Sequence, residues 1–349
     1  MLFRWDDMNF FDLHADTLFE LDKQGLILDN NTLAVNLKNM RSFEKIIRCY
    51  AVFTPDEIKG ENGMKIRDRF KEKTIFSFEV FPPKKTSSIE TVYRTVEELE
   101  GLTPDFISVT FSAGGTGNSA LALDIASKIK ESNRVEPAIH LPCINYSKEE
   151  ISEVLKEIDA RGIENILALR GDINPDIPPK NEFRYASDLI SFIKERGDYD
   201  IAGACYPEGH IEAPDMVTDI LNLKKKVEAG ADHLITQLFF DNSVFYDFKE
   251  KTTIAGINVP IEAGIMPVIN KSQIERMVSM CGASLPSKFV KMMQRYENNP
   301  EALRDAGIAY AIDQIVDLLA NGVDGIHLYT MNNAYVAKRI SDAVSRLFV

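Results

Sequence analysis

The chain has 349 residues, 45% of them apolar and 27% charged, the balance of a globular protein with ample capacity for a core. Its 53 Asp and Glu outnumber its 40 Lys and Arg, giving a net charge of −13. That balance argues against nucleic-acid binding, which needs clustered cations. No apolar stretch approaches the ~18 residues that would cross a membrane. The N-terminus, MLFRWDDMNFFDLHAD, lacks the basic-then-apolar order of a secretory signal. Cys49, Cys143, Cys205 and Cys281 are far apart, with no CxxC pair. This excludes a zinc ribbon or a disulfide scaffold and fits a reducing cytoplasm.

Residues 1–63 hold a strand candidate (NFFDLHADT), a helix candidate and a second strand candidate (IIRCYAVF). The turn-rich PDEIKGENG and the basic MKIRDRFKEK follow, so a domain boundary is placed near 60–65, with residues 64–349 as the second region. From residue 75 one rhythm repeats. The apolar runs IFSFEVF (75–81), FISVTF (106–111), AIHLPC (138–143), NILALRG (165–171), IAGACY (201–206), HLITQLFF (233–240), IEAGIMPV (261–268) and GIHLYT (325–330) predict parallel strands covered on both faces. Amphipathic stretches separate them. In SIETVYRTVEELEGL a Ser caps, with Glu two residues on. In SKEEISEVLKEIDARG, Ser147 and Glu150 form a capping box and Gly162 ends the helix. PDMVTDILNLKKKVEAG is predicted to begin at Pro214 and end at Gly230. The long interval 269–324 holds additional helices over PSKFVKMMQRY and PEALRDAGIAYAIDQIVDLLANG. Eight strands alternating with helices predict an α/β (β/α)₈ barrel, with a doubly wound open sheet as the structural rival.

Polar residues punctuate the ends of these apolar runs: Glu79, Thr110, His140, Arg170 with Asp172, Tyr206 with Glu208 and His210, Gln237, and Tyr329. An unpaired buried polar group costs about 1–3 kcal/mol, so one on nearly every strand predicts a polar site at the barrel mouth. Glu79, beside Phe78 and Phe81, is expected to have a raised pKa, suiting a general acid; the alternative is a structural pair with Arg170. Gly171 would let a ligand approach the backbone, and Asp172 could hold a donor-rich heterocycle or a loop salt bridge. SAGGTGNS (112–119) is equally a phosphate cradle and a plain turn, being neither GxGxxG nor GxxxxGK[ST]. Lys224, Lys225 and Lys226 are a solvated face or cations that reach a diphosphate. His140 and His210 lack partners at metal-ligand spacing, so no metal is assigned.

Taken together, FSFEVFPPK (76–84), FISVTFSAGG (106–115), HLPC (140–143), ILALRGD (166–172), YASDLI (185–190), CYPEGH (205–210), LNLKKKVEAGAD (221–232), ITQLFFD (235–241), GIMPV (264–268) and HLYTMN (327–332) resemble the methylenetetrahydrofolate reductase family, in its short bacterial form, over about 73–347. The resemblance implies a flavin-containing (β/α)₈ barrel. Such an enzyme reduces 5,10-methylenetetrahydrofolate to 5-methyltetrahydrofolate with noncovalent FAD as carrier and NADH or NADPH as donor, in one-carbon metabolism and methionine synthesis. It implies Glu79 as proton donor and Asp172 beside the flavin pyrimidine edge and the pterin. It implies FAD contacts from Thr110, His140, Arg170, Gly171, Asp172, Tyr185, Ala186, Tyr206, His210, Asp219, Asn222, Lys225 and Lys226. Substrate contacts would come from Asp172, Gln237 and Gln273. A homo-oligomer in the cytoplasm is also implied. Where the bacterial family often has Tyr-Thr-Leu-Asn-Arg, this chain reads Tyr329-Thr330-Met331-Asn332-Asn333, which removes the Arg expected at the folate tail. The chain ends at Val349, where a regulatory domain would otherwise follow. Another FAD barrel, similar to proline dehydrogenase, is the alternative.

The leader, FFDLHADTLFELDKQG with CYAVFTPDEIKGE, resembles the start of the membrane (renal-type) dipeptidase family, with His14 and Asp16 as an HxD zinc pair. The match stops before the remaining ligands, so the leader is expected to be a non-catalytic fragment fused upstream, and Met64 the reductase's own start. A zinc hydrolase based on His14 and Asp16, and a non-catalytic binding barrel, are the other classes of function.

Overall fold

The computed structural model describes residues 11–12, 47–48, 65–83, 88–111, 118–132, 134–173, 177–270, 278 and 281–348. The chain divides into two units, Met1–Asn62 and Gly63–Val349. In the first, Phe11–Asp12 pairs in parallel with Ile47–Arg48, within the two predicted strand segments. His14 and Asp16 lie outside the described residues.

The second unit is a closed barrel of eight parallel strands. They are β1 (Ile75–Val80), β2 (Phe106–Val109), β3 (Glu136–Pro142), β4 (Asn165–Leu169), β5 (Asp200–Cys205), β6 (His233–Thr236), β7 (Ile261–Ile265) and β8 (Gly325–Tyr329). Each strand pairs with the next in sequence, and β8 closes on β1 with Ile326 opposite Phe76. Helices α1 (Ile89–Glu100), α2 (Asn118–Glu131), α3 (Lys148–Ala160), α4 (Ala186–Lys194), α5 (Met216–Glu228) and α6 (Asn242–Ile254) follow the first six strands. After β7 come α7 (Ser287–Tyr296) and α8 (Pro300–Ala320), the predicted additional pair, and α9 (Ala334–Val344) ends the fold.

Local signals explain the helix starts. Ser147 and Glu150 make the predicted capping box of α3, and Ser88 accepts from the Glu90 N–H at the start of α1. For α5 the cap is Asp215, accepting from the Thr218 N–H, so Pro214 stands outside the helix rather than beginning it. The strands are shorter than the apolar runs. The ladders stop at Val80, Val109, Leu169 and Thr236, while the apolar runs go on, because Phe111, Phe239, Phe240, Met266 and Val268 are buried in packing beyond the ladders.

Alternation along each strand sorts the core. Phe76, Phe78 and Val80 pack outward with Val92, Val96 and Leu99 of α1. Ile75, Phe106, Ala138, Leu167, Ala202 and Ile235 cluster with Ile66 as a separate apolar group. Above it the barrel interior turns polar: Ser77, Ser108, His233, Glu262 and His327 are all buried. A third cluster, Leu238, Phe240, Met266, Val268, Phe289, Met293 and Leu303, ties the loops after β6 and β7 to α7 and α8.

Candidate active site

A cavity of about 820 Å³ opens where the strands end. Glu79, Thr110, His140, Arg170, Gly171, Asp172, Tyr185, Ala186, Tyr206, His210, Asp219, Asn222, Lys225, Lys226 and Gln237 all line it. The predicted site residues therefore converge on one wall system, except Gln273, which lies outside the described residues, as do 112–117 of the glycine-rich loop.

Glu79 is inward-facing near the end of β1. Its Oε2 lies 3.7 Å from His140 Nε2 and 3.8 Å from His327 Nε2. The sequence points to Phe78 and Phe81 as its apolar surroundings, but alternation puts Phe78 on the opposite face of the strand. The suggested pairing with Arg170 is also overturned. The Arg170 guanidinium grips Glu212 through two contacts, one of 2.8 Å, because the loop after β5 carries Glu212 to it. That pairing holds Glu212 below, and Arg170 above, their ordinary values.

His140 is buried, and its Nε2 has no hydrogen-bond partner. Burial pushes it down to about 4, against the opposing pull of Glu79, so it is a neutral imidazole near pH 7. Gly171 has φ +88°, and a Cβ there would lie 3.0 Å from Pro142 Cβ, so this loop position requires glycine. Asp172 is exposed to the cavity beside it.

The opposite wall is built by β5 and α5. Tyr206 meets His210 edge-on at 4.6 Å, and burial pushes its hydroxyl up to about 12. The His210 N–H donates to Asp219 in the first turn of α5, and His210 Nδ1 accepts from the Glu212 N–H. Burial lowers the His210 pKa. The lysine run divides. Lys225 donates to Asn222 and Lys226 to the Ala204 carbonyl, both on the cavity, whereas the Lys224 ammonium lies near Gly256. Burial lowers the Lys226 pKa. Tyr185 precedes α4 at the rim, with Ala186 buried behind it. Gln237 receives the Leu238 N–H.

Three features escaped sequence reasoning. Tyr329 crosses β7 to donate to the Thr236 carbonyl at 2.7 Å, through space that Gly264 leaves open; a Cβ there would lie 2.8 Å from its hydroxyl. Asn332, at φ +53°, both accepts from the Phe81 N–H and donates to the Phe81 carbonyl. Asn333, where an Arg was expected, caps α9 by accepting from the Val336 N–H. The third is the buried polar chain below Glu79. His327 Nδ1 is 2.7 Å from Ser77 Oγ, which donates to Glu262. A polar residue inside a β-run was the signal available for Glu262 and His327.

Among the described residues no cluster of three or more His, Cys, Asp or Glu is arranged to hold a metal, and no helix is long and apolar enough to cross a membrane.

A closed parallel barrel whose mouth carries a large polar cavity, with an inward carboxyl between two imidazoles, defines a (β/α)₈ enzyme with its chemistry at the strand ends. The model of the methylenetetrahydrofolate reductase family matches residues 65–345. The chain is 38% identical over 264 residues to the 5,10-methylenetetrahydrofolate reductase of Pectobacterium carotovorum, covering 76% of this chain and 88% of that one. It is 37% identical to the Escherichia coli enzyme of that name, with the same coverage. Against methylenetetrahydrofolate reductase (NADH) 1 of Arabidopsis thaliana it is 37% identical over 294 residues and spans about half of that protein, 49%. A Clostridium thermocellum protein solved with two copies of 5-methyl-5,6,7,8-tetrahydrofolic acid shares the fold, with a TM-score of 0.58 at 14% identity, over 81% of this chain and 99% of that one. The chain belongs to the methylenetetrahydrofolate reductase family, and so to the oxidoreductases.

Proposed function

We propose that this chain reduces 5,10-methylenetetrahydrofolate to 5-methyltetrahydrofolate with noncovalent FAD and a nicotinamide donor, NADH or NADPH, as a cytoplasmic homo-oligomer. The observation that carries the reading is Glu79, a carboxyl 3.7 and 3.8 Å from two imidazoles inside the mouth cavity. Residues 1–63 take no part in the chemistry.

FAD fits the residues present. The cavity lies within the ~300–1,000 Å³ typical of cofactor sites. It offers cations at Lys225 and Arg170, an orphaned buried acceptor or donor at His140 Nε2, and an apolar face from Ala168 and Leu169. Bound FAD would carry the hydride between nicotinamide and folate. Lys225 and Arg170 would hold its diphosphate. Tyr185, Ala186, Asn222, Tyr206, His210 and Asp219 would position the remainder. Asp172 would hold the pterin, its charge opposing negative charge on a neighbouring ring. Gln237 and Gln273 would orient the folate. Glu79 would deliver a proton to the ring nitrogen of the substrate so that the five-membered ring opens. His140, held to about 4 by burial, would be too weak a base to take that proton from the substrate.

Glu79→Gln keeps the shape but cannot give up a proton as an acid does. General-acid loss typically costs about 10²–10⁴-fold. Anaerobic stopped-flow should show near-normal bleaching of the flavin by the nicotinamide, followed by reoxidation by methylenetetrahydrofolate slowed by that factor. Equal slowing of both half-reactions would instead make Glu79 a flavin-positioning residue.

A further inference from the structure

The interior of a (β/α)₈ barrel is ordinarily filled by branched apolar side chains. Here β7 places Glu262 in it, fully buried. Burying a carboxyl without partners is costly, so its contacts matter. Glu262 Oε1 is 3.3 Å from His233 Nδ1, and His233 Nε2 is 3.7 Å from Asp200 Oδ1. Burial opposes a charge on His233, and the carboxylates of Asp200 and Glu262 outweigh it, holding its pKa above the ordinary value. Glu262 Oε1 thus lies against the imidazole whose proton affinity it raises.

The other oxygen, Oε2, accepts from Ser77 Oγ at 2.7 Å. Ser77 has a single hydroxyl hydrogen, and its second acceptor, the Ile326 carbonyl, is more distant at 3.4 Å. The hydrogen goes to the nearer acceptor, Glu262 Oε2. Ser77 Oγ then presents only lone pairs to His327 Nδ1, 2.7 Å away, so Nδ1 must carry the hydrogen. In a neutral imidazole that leaves Nε2 as an acceptor. Nε2 faces Ser108 Oγ at 3.4 Å and Glu79 Oε2 at 3.8 Å. Such separations tighten when a substrate closes the site.

We propose that Glu262, backed by His233, is a positioning residue for the proton donor: it fixes Ser77 and His327 in the one hydrogen-bond order that leaves His327 Nε2 able to accept from the protonated Glu79 carboxyl. The inference rests on Glu79 being the acid. No bond is made or broken at Glu262; its carboxylate orders the hydrogens above it. With an apolar residue in its place, Ser77 would be released to donate to Nδ1. His327 would then take the opposite tautomer, and its Nε2–H would compete with the acid instead of accepting from it.

The test is ¹⁵N NMR of the full chain labelled at its five histidines, with His327 and His233 assigned by single substitutions. The unsubstituted protein should show a hydrogen on His327 Nδ1 and none on its Nε2. Glu262→Leu should convert His327 to the Nε2–H form. It should also slow flavin reoxidation by methylenetetrahydrofolate at least tenfold, with flavin reduction by the nicotinamide unchanged. An Nε2–H or doubly protonated His327 in the unsubstituted protein overturns the proposal, and that spectrum decides even if Glu262→Leu does not fold. A tautomer unmoved in folded Glu262→Leu, or one that moves without slowing the folate step, overturns it too. Failure of the reading of Glu79 itself would appear separately, in the half-reactions of Glu79→Gln and not in the spectrum.

Discussion

The two ends of the barrel both carry charged groups and use them in different ways. At the floor, the segment after Met64 stitches strand starts together. Lys65 and Arg67 pair with Asp198, Arg67 also with Asp232, and Arg69 with Asp105. The carboxylates there also take backbone hydrogens: Asp105 from Phe76, Asp200 from Arg67 and Asp232 from Ile201. At the mouth, Glu79 stands 3.7 Å or more from its two neighbouring imidazoles, and His140 Nε2 has no partner. Carboxylates braced from several sides make the floor, even where one oxygen such as Asp200 Oδ1 is left over; a nitrogen left open beside a cavity makes a site. The same residue types thus read as structure or chemistry according to whether their open capacity meets a cavity.

The comparison can be broken most severely at the floor. Asp105 is nearly buried and accepts from Arg69, Lys73 and the Phe76 N–H. Asp105→Ala leaves those donors facing a gap. A loss of about 3 kcal/mol is expected, at the low end for broken buried pairs because Lys73 can reach water. Denaturant unfolding measures it, while FAD affinity of the folded fraction should not change.

Next is a pH effect at the mouth. Unfolded, His140 should titrate near 6.5; folded, burial holds it to about 4. Between those values the unfolded chain binds a proton that the folded chain does not, so stability falls as pH falls through the window. His233 acts in the opposite sense, its raised pKa adding stability that is lost as pH rises through its folded value. His140→Asn should remove about 2 kcal/mol of the loss between pH 8 and pH 5. Unfolding midpoints at the two pH values in both proteins check this; an unchanged difference refutes the assignment.

The smallest effect sharpens the comparison. The floor stitches begin at Lys65, so a chain starting at Met64 should keep both ends intact. Its kcat/KM should stay within tenfold, about 1.4 kcal/mol of transition-state stabilisation. A larger loss would place residues 1–63 in the catalytic machinery.

Much of this was legible in the sequence because period and position carry it. Eight apolar runs, their order and the caps at Ser88 and Ser147 follow from local physics, and strand-end polarity marked Glu79, His140, Arg170 and Gln237. What escaped depends on partners far along the chain. Nothing local tells that Arg170 finds Glu212 rather than Glu79, or that Glu262 lies under Ser77. The lysine run shows the limit well: three identical neighbours, of which helical geometry turns only Lys225 and Lys226 to the cavity.

The pairing of β8 with β1 has a consequence for how the enzyme comes into being. The Thr330 hydroxyl holds the Glu79 backbone carbonyl from 251 residues away. Contacts so distant in sequence form late, since loop closure must be met before they stabilise anything. During synthesis β1 and β7 would wait as open sheet edges, the kind of surface on which nascent chains aggregate. The carbonyl of the acid is thus anchored only when the eighth strand arrives, so the newborn chain stays inert until Thr330 has been translated.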